Sequence, residues 1–357
     1  MFNLFLKHIN LKNFMFIGLF YFALCPYQNC FARILDEESK LLGQVIDIFR
    51  SYKPLIEHHA EDIVQQKGLP KEKINHVLNS QTPISDISLE ELNAIAQVVF
   101  LRPIDKERKD IRGENEQFLP YTDLTVLDLF SKIGDIDSIY PQKEAYPYIL
   151  LNGSTVANMR ERLKTLIELV EQKKLSIAPE TKIIFLTGER DLFDEENEAQ
   201  LMDPAPLKQD PSWNRPQALP VTEDQAAEWL WNQSMLPDAL RQANITFVRA
   251  KKNPKTGARP TTFDTVHTWV EQHKPEPGAC LSISSQPFVY YQQATTRGVF
   301  KKAGLLEKGF SVEGVGFGKD KNSEGFFEYF KAHIAVVLDN FARTIYTEVQ
   351  HKKENAS

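Results

Sequence analysis

The chain has 357 residues, room for one large or two ordinary domains, and its 42% hydrophobic and 25% charged content is that of a protein folding around its own core. Its 42 basic and 48 acidic residues give a formal net charge of −6, which argues against general nucleic-acid binding, because that task needs a basic surface.

The first 32 residues have the three parts of a secretory signal peptide. Lys7 and Lys12 precede an apolar run from Phe14 to Cys25, and Cys30-Phe31-Ala32 offers a cleavage site before Arg33. The run is shorter than the ~20 residues that usually span a bilayer. The alternative is an uncleaved anchor over residues 14–25, which keeps the chain near the membrane. A lipoprotein signal is disfavoured, since Cys25 and Cys30 follow Leu24 and Asn29 rather than small residues. Cleavage after Ala32 takes the formal net charge to −8 and leaves Cys280 as the sole cysteine, so a periplasmic or otherwise exported chain holds together without an internal disulfide.

Residues 33–140 read as a helical region. Leu41, Leu42, Val45, Ile46 and Phe49 form one amphipathic face. Ser88-Leu89-Glu90-Glu91 is a capping box with Ile87 and Leu92 placed as a hydrophobic staple, opening a helix that runs to Leu101 before Pro103. Asp105 to Gln117 is a charged connection, and Tyr121 to Ile139 returns apolar residues to a core.

Residues 145–320 alternate apolar runs with amphipathic segments. Tyr148–Leu151 leads through Asn152-Gly153-Ser154-Thr155 to a helix with Val156, Met159, Leu163, Leu166, Ile167 and Val170 on one face. Lys182–Leu186 ends at Thr187-Gly188-Glu189, followed by an excursion from Arg190 to Pro220 and a helix opening at Thr222. Ile245–Val248 leads through a basic loop to a helix over Thr262–Gln272, and Ala279–Ile283 leads through Ser284–Pro287 to a helix from Tyr290 to Ala303. A fifth strand is expected over Phe310–Val315. The pattern predicts an α/β fold: a Rossmann-like, doubly wound, mainly parallel five-stranded sheet with N- and C-terminal helical extensions. Strand order 3-2-1-4-5 puts the topological switch, where such sheets bind ligands, between strands one and four. At the C-terminus, Phe327, Phe330, Ile334, Val337, Phe341 and Ile345 predict one long amphipathic helix within residues 323–350, packed on the sheet or the N-terminal helices.

The four strand-to-helix connections bring a polar set to one rim: Asn152, Gly153, Ser154, Gly188, Glu189, Glu223, Thr262, Asp264, Ser285 and Gln286. Each residue alone is also of a type that caps helices or forms turns. Their convergence predicts a ligand site, with the helix N-termini after strands one and four suited to an anion. Arg249, Lys251, Lys252, Lys255 and Arg259 crowd the loop after strand three, and Arg259 is the expected anion contact among them. Glu223 and Asp264 are the candidate general acid and base. Ser154, Ser284 and Ser285 lack a G-x-S-x-G elbow, and His267 lies inside a helix. No H-E-x-x-H or paired C-x-x-C points to a metal, and no motif names a cofactor. The excursion, acidic and then rich in proline, reads as a lid or a disordered insertion, with the lid preferred.

The succession Asn152-Gly153, Thr187-Gly188, Thr222-Glu223, Thr261-Thr262 and Ser285-Gln286-Pro287 resembles the SanA, YdcF and ElyC type of domain of unknown function. Glu91-Leu92-Asn93-Ala94-Ile95 in the capped helix is similar to the YdcF branch, and the resemblance spans about Ser88 to Gly316. It implies a Rossmann-like fold, a polar pocket at the strand ends and, for exported members, a link to cell-envelope integrity or to peptidoglycan and surface-polysaccharide metabolism. It implies no defined reaction. Asp264 and Thr265 stand near the family's acidic and amide positions, while Phe288–Gln292 replaces its usual His and Arg pattern. The expectation is an exported envelope protein that binds a small anionic or nucleotide-like ligand and acts as a hydrolase or transferase. The alternative is a binding or scaffolding protein without chemistry.

Overall fold

The computed structural model describes residues 40–102, 115–320 and 322–356. The expected signal peptide and most of the charged connection after Pro103 lie outside the described residues. Strands β1 (Tyr148–Asn152), β2 (Lys182–Gly188), β3 (Asn244–Ala250), β4 (Ala279–Ser285) and β5 (Ser311–Phe317) form one wholly parallel sheet in the order β3-β2-β1-β4-β5. The Rossmann-like, doubly wound expectation holds, and the switch point lies between β1 and β4.

Alternation along the strands decides what covers each face. Ile149, Leu151, Ile183, Phe185, Leu281 and Ile283 point into one core. Tyr148, Leu150, Ile184, Leu186 and Cys280 point into the other. The longer crossover helices lie on both sides. Helix α7 (Val156–Glu171) and α9 (Glu223–Gln233) cover the first face, and α11 (Thr262–His273) and α12 (Val289–Lys302) the second. β5 runs two residues past its expected end, where Gly316 and Phe317 pair with Ser284 and Ser285 of β4, and Gly314 and Gly316 let α12 come close. A Cβ on either would lie 2.6 Å from the nearest atom of Gln293 or Val289.

The N-terminal helices α1 (Lys40–Ser51), α2 (Lys53–His58), α3 (Ala60–Lys67), α4 (Lys71–Leu78), α5 (Leu89–Val99) and α6 (Leu124–Ile133) build a separate core. The Ser88 capping box that opens α5 is formed as expected. An aromatic cluster fills the centre: Phe341 lies 5.7 Å from Phe49 and 5.5 Å from Phe130, ring centre to ring centre. Such pairs add to simple burial of area.

The expected single C-terminal helix is broken into α13 (Phe326–Lys331) and α14 (Ile334–Ala356). Asn115 explains the break. Its Nδ2 donates to the Ala332 carbonyl at 2.9 Å and its Oδ1 accepts the Ala335 N–H at 2.9 Å, satisfying backbone groups that the interruption frees. α14 packs against α5 and α12, so the C-terminal helix joins the helical layer to the α/β domain. Asp339, fully buried on α14, is held by Arg343 and Arg102, a pairing that a solvated or membrane-facing helix would not need. No helix among the described residues is long and apolar enough to cross a membrane.

Candidate functional site

The strand ends open into a cavity of about 1030 Å³ at the β1/β4 switch point. Its floor begins at the turn between β1 and α7. Here Gly153 N–H donates to the Leu186 carbonyl at 2.7 Å, clamping the turn to β2. A side chain at Gly153 would overlap Glu223 Oε1 and stand 2.7 Å from that carbonyl, so the close approach requires glycine.

Beside this turn, Arg190, Glu196 and Glu223 form a buried charge cluster, with exposures of 5%, 4% and 7%. Arg190 donates to both oxygens of Glu196, Nη1 to Oε2 at 2.6 Å and Nη2 to Oε1 at 3.1 Å. Its Nε donates to Glu223 Oε2 at 2.9 Å, and Nη2 also reaches the Ser154 carbonyl at 3.1 Å. Two carboxylates thus share one guanidinium. Glu196 has further partners in the Val156 N–H at 2.7 Å and the Phe193 N–H at 2.9 Å. Among the described residues, Glu223 accepts from the Gly188 N–H, at 3.3 Å, besides Arg190. Burial accordingly pushes the Glu223 carboxyl above the usual range, outweighing Arg190, the Gly188 N–H and the nearby Arg259.

Of the residues expected from sequence, Gly153, Ser154, Glu223, Arg259, Thr262, Ser285 and Gln286 line this one cavity. Asn152, Gly188, Glu189 and Asp264 do not. Asn152 is buried beneath it, donating to Ser282 Oγ at 2.9 Å and the Ile283 carbonyl at 3.0 Å, which ties β1 to β4. Gly188 acts through its N–H on Glu223. Glu189 faces the basic loop, where Lys251 Nζ at 3.2 Å and the Lys252 N–H at 3.3 Å hold its carboxyl below the usual range. Asp264 completes a capping box: its Oδ2 accepts from the Thr261 N–H at 2.7 Å and Oγ1 at 2.6 Å. That geometry places Asp264 at the start of α11, outside the cavity lining. Gln286 Nε2 donates to the Gly134 and Asp137 carbonyls, both at 2.7 Å, and so fixes the rim to the end of α6.

The basic loop is largely neutralised. Arg249 pairs with Asp224 and Glu228, Lys251 with Glu189 and Lys252 with Asp191, and Arg259 of the same loop lines the cavity. His267 is exposed on α11, stacked 5.8 Å from Phe263 and outside the cavity. No cluster of three or more metal-ligating side chains occurs among the described residues.

Sequence reasoning missed three groups. Arg190 and Glu196 lie in the excursion, which packs down rather than hanging free. Arg160 on α7 grips the Gln200 and Leu201 carbonyls at 2.6 and 2.9 Å, and Trp213 meets Trp229 edge-on at 5.2 Å. Arg162, on α7 beside Leu163, is buried against the rim and donates to the Asn152 and Gly153 carbonyls at 2.8 and 2.7 Å and to Ser285 Oγ at 3.4 Å. The third group is the roof, where the break between α13 and α14 turns Tyr329, Phe330 and His333 over the strand ends. The cavity therefore has a charged floor and a partly apolar roof. No protein-family model, curated protein or solved structure matches the chain.

Proposed function

We propose that the chain is an exported, envelope-associated protein of the SanA, YdcF and ElyC type whose rim cavity binds a small anionic or nucleotide-like ligand. One observation carries the reading: seven rim residues, contributed by four strand-to-helix connections, surround a single cavity of about 1030 Å³ at the switch point. The basic, apolar and small-residue segments of residues 1–32 support export, with an anchor over residues 14–25 as the alternative.

Glu223 is the group through which the site would act as a hydrolase or transferase on a phosphorylated or glycosylated envelope precursor. It faces the cavity, and its raised affinity for a proton suits a general acid. A purely binding or scaffolding role is the second reading, favoured by the engagement of both Glu223 oxygens with Arg190 and Gly188. The test is a thermal-shift panel on the full chain in mild detergent, using nucleotides, sugar nucleotides, sugar phosphates and short lipid-phosphate analogues. A saturable rise with one class, lost in Ser285→Trp, supports the cavity, and no rise with any class counts against it. Turnover of the bound class by the wild type but not by Glu223→Gln separates the enzyme from the binding protein.

A further inference from the structure

The turn after the first strand of a doubly wound sheet is where a ligand's phosphate ordinarily meets the N-terminus of the following helix. In this chain a side chain of the protein is already there. Glu196 Oε1 accepts the Val156 N–H, at the first residue of α7, at 2.7 Å, and the same carboxylate takes both Arg190 Nη atoms and the Phe193 N–H. It meets a backbone donor at a helix start and a forked cation, the partners that an oxyanion of a ligand would seek.

We infer that Glu196 is a built-in anion that occupies the phosphate seat of the β1–α7 turn and determines specificity by denying it to the ligand. A dinucleotide or nucleoside diphosphate lying with its diphosphate on this turn would bring further negative charge against Glu196 and Glu223, with Arg190 already shared between them. The ligand's anionic group is directed instead to Arg259, Thr262 and Ser285, which line the same cavity. This last step rests on the proposal that the cavity takes an anionic ligand. The occupation of the seat by Glu196 does not.

Because Glu196 lines the cavity, cutting it back to alanine opens a carboxylate-sized space that solutes can reach. Glu196→Ala removes the Cγ and the carboxylate, the atoms that acetate supplies. At constant ionic strength, acetate should raise the Tm of Glu196→Ala saturably, by roughly 5 °C, and leave the wild type unmoved. Inorganic phosphate should do the same to the variant. Glu196→Gln keeps the shape and fills the seat, so it should lose stability without responding to acetate. Should Glu196→Ala fail to fold alone, refolding in acetate should recover it. Equal responses of variant and wild type, a response in Glu196→Gln, or no recovery in acetate would overturn the inference. A ligand-panel hit without acetate rescue refutes this inference alone, whereas acetate rescue without any panel hit refutes the ligand reading alone.

Discussion

The two turns that flank the switch point differ in what fills them. At the β1–α7 turn, Thr155 caps the helix, Glu196 sits on its first N–H, and Arg190 is shared between Glu196 and Glu223. At the β4–α12 turn, the N-cap residue Phe288 offers no side-chain cap, and Ser285, Gln286 and Phe288 face the cavity. One turn is completed by a buried carboxylate and its guanidinium; the other carries no carboxylate, its Ser285 and Gln286 being held by Arg162 and by the Gly134 and Asp137 carbonyls. The difference teaches that a familiar topology tells where a ligand binds but not which of its loops receives the charge.

The strongest way to break the contrast is to remove the cation of the closed turn. Arg190→Ala leaves Glu196 and Glu223 buried without their counterion and should cost about 3–5 kcal/mol in denaturant unfolding. A cost below about 1 kcal/mol would mean that the cluster is not the internal neutralisation described.

Asp135, just beyond α6 on the open side, is buried, and burial pushes its carboxyl up to about 8. Its folded-state value lies above that of an unfolded aspartate, so its contribution to stability is fully present below about pH 4 and is lost as pH rises through about 8. The gain from Asp135→Asn over the wild type should therefore grow across that window, by up to about 1.4 kcal/mol per pH unit. A gain independent of pH would show that Asp135 does not titrate as a buried acid.

Gly153→Ala sharpens the contrast, because its methyl group collides with Glu223 and the Leu186 carbonyl. It should cost about 1–3 kcal/mol and weaken ligand binding as well. Asp264→Ala should cost only about 0.5–1 kcal/mol, the worth of a cap, and leave binding unchanged. A large loss of turnover with intact stability in Asp264→Ala would show that it is a catalytic group as well as a cap.

The sheet was legible because strand and helix periods are local properties of the sequence, and right-handed crossovers leave few topologies to choose among. The Ser88 capping box was legible for the same reason. Thr261-Thr262-Phe263-Asp264 has the same three-residue spacing, so capping was as readable there as catalysis. Glu196 was not legible, because its partner at Val156 lies 40 residues away and an acidic run in a loop gives no sign of burial. The break between α13 and α14 was hidden for a similar reason: no Pro or Gly marks residues 332–333, and the side chain that stabilises it, Asn115, is more than 200 residues distant. The apolar roof of the cavity follows from that break and was hidden with it.

The central claim is that the ligand's charge is received inside the cavity at Arg259 and not by the basic loop at large. The most direct measurement is the Kd of a ligand from the panel for the wild type, Arg259→Ala and Lys255→Ala, by calorimetry at one salt concentration. Both side chains are exposed, but Arg259 lines the cavity and Lys255 does not. The account predicts roughly tenfold weaker binding for Arg259→Ala, about 1.4 kcal/mol, and no change for Lys255→Ala. Equal weakening in both variants would contradict it, since that is the signature of diffuse attraction to a basic loop.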